Sequence, residues 1–144
     1  MESVNTSSIQ AILVTLKIGE EQSLFILLAA DGTINRMGNG SERIECDLFI
    51  GKTSRDAFQA ALGHAQPVFD EWLGGFVDPN PGGKVCQLQV GFQSSDGREH
   101  MSQWEYGSRS QGPPPEVTGL VIAAVEATEP WFAEQKQMAD NNAK

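Results

Sequence analysis

The chain reads as an α+β fold in which an antiparallel β-sheet carries two helices on one face, in the order β-β-β-(β)-α-β-β-α. Three observations predict it. Apolar residues alternate with a period of two over residues 9–18 and 85–92, the pattern of half-buried strands. Asp-Gly pairs at Asp31-Gly32 and Asp96-Gly97 fall between such segments as hairpin turns. Two later segments, beginning near Arg55 and Pro115, space their apolar residues as amphipathic helices do.

The elements follow in order. In the first strand Ile12, Val14, Leu16 and Ile18 face inward and alternate with Leu13, Thr15 and Lys17, and Gly19-Glu20-Glu21 turns the chain. Residues 24–30 are continuously apolar, which predicts a strand covered on both faces, and Asp31-Gly32 leads into a partner over 33–36. A loop at Gly38-Asn39-Gly40 precedes a further strand over 44–50, with Ile44, Cys46, Leu48 and Ile50 assigned inward and Phe49 outward. Thr53 or Ser54 caps a helix starting near Arg55, with Asp56 in its positive first turn. Its apolar stripe is Phe58, Ala61, Leu62, Ala65, Phe69, Trp72 and Leu73; Pro67 kinks or restarts it near Gln66, and Gly74-Gly75 ends it.

In the second half Cys86, Leu88, Val90 and Phe92 face inward, with Gln87, Gln89 and Gln93 opposite. The next strand puts His100, Ser102, Trp104 and Tyr106 on one face. Pro115 opens a helix with Val117, Leu120, Val121, Ala124, Val125 and Thr128 toward the core, interrupted or ended at Pro130. Overlaying the halves leaves a faint echo of a duplicated ββα unit.

At 144 residues the chain is expected to be a single domain over 1–144, with flexible ends at 1–8 and 138–144. A length of this order buries roughly 70% of the unfolded surface without metal or disulfide. Net charge is −9, spread over both halves with no basic run, which argues against nucleic-acid binding and favours a basic protein partner. The first ten residues lack a secretory pattern, and the longest apolar runs, 11–16 and 24–30, are too short to cross a bilayer. A soluble, cytoplasmic protein is therefore expected, with Cys46 and Cys86 as small core hydrophobes.

Catalytic patterns are weak. Gly51-Lys52-Thr53 lies between a strand and a helix as in a phosphate-binding loop, but Cys46 stands where that motif requires its first glycine. His64 is expected at the surface. His100 shares a face with Ser102, but Glu99 and Glu105 point the other way. No catalytic residue, metal site or cofactor is assigned. The most distinctive stretch runs from Trp104 to Glu116, an aromatic strand end joined to a proline-stiffened loop. It nominates Trp104, Tyr106, Arg109 and Gln111, with His100, as binding residues.

The expected function is a non-catalytic protein-binding domain, of which an immunity or inhibitor-type protein acting on a basic partner is one version. The alternative is a small enzyme or small-ligand binder with a pocket near His100, Tyr106 and Arg109. A homo-oligomer finished by Trp72, Trp131 and Phe132 is the third.

Overall fold

A computed structural model describes residues 9–38, 48–53, 55–64, 75–77, 83–95, 97–107 and 115–142. Its strands are β1 (Ile9–Ile18), β2 (Glu21–Ala29), β3 (Thr33–Gly38), β4 (Leu48–Lys52), β5 (Gly75–Val77), β6 (Val85–Ser94) and β7 (Glu99–Gly107); its helices are α1 (Arg55–Leu62) and α2 (Pro115–Asn142). One sheet holds all seven strands in the order β4-β3-β2-β1-β6-β7-β5. Every pairing is antiparallel except that of β5 with β7, which is parallel. The predicted architecture is therefore present, with β5 as an added edge.

The turns form where their residues make them cheap. Gly19 and Gly32 adopt positive φ, 66° and 94°, between β1 and β2 and between β2 and β3. At Gly32 a side chain would also collide with the Thr53 carbonyl, while the Gly32 carbonyl accepts the Thr53 N–H at 2.8 Å. Asp31 holds the same turn: its carboxylate accepts the Thr33 N–H at 2.9 Å and pairs with Lys52 at 3.4 Å. The Thr33 backbone and hydroxyl bonds, with Lys52, lower its pKa to about 2.

One face of the sheet is the core. Ile12 and Val14 of β1, Leu24, Ile26 and Leu28 of β2, Ile34 of β3, Leu88, Val90 and Phe92 of β6 and Trp104 of β7 bury against Phe58 and Ala61 of α1 and Leu120 and Ala124 of α2. Both helices therefore lie on the same side. Among the described residues no helix is long and apolar enough to cross a membrane.

Four expectations need correction. α1 stops at Leu62, before Gln66: the Gly63 N–H still reaches the Gln59 carbonyl, but the His64 N–H tightens to a bond with the Ala61 carbonyl, a 3₁₀-type turn. Residues 65–74, with Pro67 and the rest of the expected stripe, lie outside the described residues. α2 is neither interrupted nor ended at Pro130 but runs through it to Asn142. Proline removes the bond to the Glu126 carbonyl, but both residues are exposed, so water can serve that carbonyl, while buried Thr128 and Phe132 anchor the helix on either side.

The strand phases also differ. Leu48 and Ile50 are 48% and 68% exposed, and it is Phe49 that turns toward the helices, its ring 5.8 Å from that of Phe132. Register explains this: Phe49 pairs with Arg36 and Gly51 with Ile34, both on the helix side. In β2 only Ser23, Leu24, Ile26 and Leu28 are buried; Phe25 and Leu27 are half-buried on the opposite face, so the strand is not covered on both sides. Cys46 lies outside the described residues.

Candidate functional site

The sequence-nominated residues separate. His100, Ser102, Trp104 and Tyr106 do share a face, opposite Phe92, Val90, Leu88 and Cys86 respectively, and that face is the helix side. Trp104 is fully buried in the core with its indole N–H unpartnered, and Ser102 is buried beside it. Tyr106 is half-buried, and desolvation, with Cys86 nearby, pushes its pKa up to about 12, so its hydroxyl keeps its proton at neutral pH. His100 is also half-buried. Six residues of strand separate it from Tyr106, a span of about 20 Å, so the two do not converge on one small ligand. Arg109 and Gln111 lie outside the described residues.

Other chemistry is equally dispersed. Lys52 ends β4 at the surface, paired with Asp31, and half-buried Thr53 follows it. Gly51 serves packing: the Trp131 ring lies 3.0 Å from where a side-chain carbon would begin. His64 is exposed on its turn. Among the described residues no three of His, Cys, Asp and Glu gather as metal ligands.

The face of the sheet away from the helices is the feature that stands out. Strand pairing aligns Ile50, Asn35, Leu27, Leu13, Gly91 and Met101 in one row across β4-β3-β2-β1-β6-β7. The neighbouring row begins with Leu48, Met37 and Phe25 and passes to Thr15, Gln89 and Gln103. Leu48, Ile50 and Met101 are exposed, while Leu13, Phe25, Leu27 and Met37 are half-buried. At Gly91 the missing side chain leaves room for the Met101 thioether, whose methyl lies 2.8 Å from where a side-chain carbon would sit. A shallow concavity of about 130 Å³ opens there, lined by Leu13, Leu27, Gly91 and Met101 among others. Polar residues complete the β6-β7 side: Gln89 donates to Gln103 at 3.2 Å and Gln87 to Glu105 at 3.5 Å.

The composition of this face explains why sequence reasoning passed over it. Leu13, Phe25 and Leu27 occupy the off-phase of strands whose in-phase residues are also apolar, which looks the same as double coverage. The available signal was an apolar off-phase shared by adjacent strands.

Comparison with protein-family models, with curated proteins and with solved structures found no match to this chain.

Proposed function

We propose that this chain is a non-catalytic protein-binding domain that engages a basic partner, in the manner of an immunity or inhibitor-type protein. The observation that supports this most is the sheet face opposite the two described helices, where Leu48, Ile50 and Met101 remain exposed beside half-buried Leu13, Phe25 and Leu27. Contiguous apolar surface of this kind marks contact with another macromolecule. The separation of His100 from Tyr106 along β7 favours binding over a small catalytic pocket that joins them.

Charge supplies the partner class. A net charge of −9 attracts a basic protein and disfavours nucleic acid, whose phosphates need Lys and Arg. The cytoplasm is the proposed location. The loop carrying Arg109 and Gln111 remains a proposed contact.

Affinity capture from native cell lysate at low and moderate salt, with wild-type and Arg109→Ala baits, tests the reading. Reproducible capture of one basic protein, weakened by salt and by Arg109→Ala, is expected. Empty capture at both salts, or capture indifferent to salt, would count against it.

A further inference from the structure

We propose that two copies of this chain pack face to face through the open side of the sheet, about a two-fold axis parallel to the strands and midway between β1 and β2. The inference rests on reading that face as a contact surface and names its occupant, a second copy. The open face then speaks for the dimer, and the basic partner rests on the net charge of −9 alone, over the acid-rich remainder where Glu20, Glu21, Asp56, Glu126, Glu129 and Glu134 lie.

The face is complementary to itself under that operation. A two-fold parallel to the strands sets β2 over β1, β3 over β6 and β4 over β7 of the other copy, and keeps each row against itself. In the apolar row, Leu27 then meets Leu13, and exposed Ile50 meets exposed Met101. In the row alongside, Lys52 of β4, 3.4 Å from Asp31 of its own copy, lies at one edge and Glu99 of β7 at the other, so the operation brings Glu99 to the exposed Lys52 ammonium at both ends of the interface, where Lys52 is shared between two carboxylates. The mixed row sets Phe25 against Thr15 and Leu48 against Gln103, a composition suited to a rim.

Charge also selects the axis. The other in-plane two-fold, perpendicular to the strands, would place Lys52 against Leu48 and Glu99 against Gln103, leaving four charges over uncharged residues. Charges within the strands of this face are balanced, Lys17 and Lys52 against Glu99 and Glu105, so the face escapes the mutual repulsion that the net charge of −9 would otherwise impose.

Its extent suffices for a specific contact. Six strands of five to ten residues present a footprint on the order of 400–800 Å² per copy, against about 800 Å² per partner in interfaces of standard size. Aligned sheets pack about 10 Å apart and cross at about 30°, which displaces the edges more than the central Leu27–Leu13 contacts.

Light scattering across a concentration series tests the proposal, with circular dichroism confirming that each variant folds. The wild-type mass is expected to rise from 15.6 kDa toward twice that value, while Ile50→Glu stays at 15.6 kDa. Lys52→Glu is expected to weaken association by up to about tenfold, and the double variant Lys52→Glu/Glu99→Lys to restore it. A wild type that stays at 15.6 kDa throughout, an Ile50→Glu variant that associates like wild type, or a double variant no better than Lys52→Glu would each overturn it. A monomer that still captures a basic protein removes the dimer and leaves the proposed function standing; a dimer that captures none does the reverse.

Discussion

Arg36 carries its charge into the core, with its side chain fully buried between β3 and α2. Every part of the guanidinium is engaged. Nε donates to the Gly38 carbonyl at 3.0 Å, one terminal nitrogen to Thr128 Oγ1 at 2.7 Å and the Val125 carbonyl at 3.3 Å, and the other to Glu129 at 3.2 Å. The Thr128 hydroxyl in turn donates a hydrogen bond to the Ala124 carbonyl at 2.8 Å, and the guanidinium carbon lies 4.3 Å from the centre of the Phe132 ring. Because Glu129 is half exposed and Arg36 is not, the two ends of their ion pair differ in worth. Arg36→Ala should lower stability by about 2–4 kcal/mol through lost packing and orphaned acceptors. Glu129→Gln should cost under about 1 kcal/mol because water screens that end. Urea denaturation measures both, and equal losses would contradict this account.

Tyr106 adds a pH dependence at the same scale. Burial raises its folded pKa from 10.0 to about 12. Between those values the unfolded chain loses a proton that the folded chain keeps, so stability is fully present below pH 10.0 and falls as pH rises toward about 12. Stability curves for wild type and Tyr106→Phe should therefore diverge only in that alkaline window, with wild type the steeper. Parallel curves would show that the hydroxyl is not desolvated.

At the scale of elements, β4 provides the sharpest contrast between expectation and structure. If Phe49 faces the helices and Ile50 the open side, Phe49→Ala should cost about 2–3 kcal/mol while Ile50→Thr stays within about 0.5 kcal/mol. Thermal unfolding of the two variants decides the strand's phase, and the reverse order would restore the inward assignment of Ile50. β6, by contrast, was legible in full, because Gln87, Gln89 and Gln93 mark its solvent side unambiguously. β4 was not, because Leu48, Phe49 and Ile50 are apolar on both phases and only pairing with Arg36 and Ile34 of β3 sets which phase turns inward. α2 hid its length for a different reason. Pro130 reads locally as a stop, and the contacts of Phe132 with Phe49 and Arg36, which hold the helix beyond it, come from tertiary structure.

Over the whole molecule, fold class was readable from strand alternation and turn chemistry, whereas the candidate site was not. A recognition reading attached to Trp104 because aromatic strand ends often meet partners, yet Trp104 sits opposite Leu88 and is fully buried. The exposed apolar surface instead arises from six strands whose off-phase residues become neighbours only once the sheet order is known. One side of the sheet packs both described helices, and the other is the face proposed to meet another chain. Met101 and Met138 test that division most directly. Each is 50% exposed, Met101 on the open sheet face and Met138 on α2, so they should oxidise comparably in the dilute isolated chain. Peroxide oxidation followed by mass spectrometry, in dilute and concentrated protein and in native lysate, should show Met101 protected relative to Met138 on concentration or in lysate. Equal oxidation of the two methionines in all three conditions would contradict the claim that the open face is where this chain meets protein.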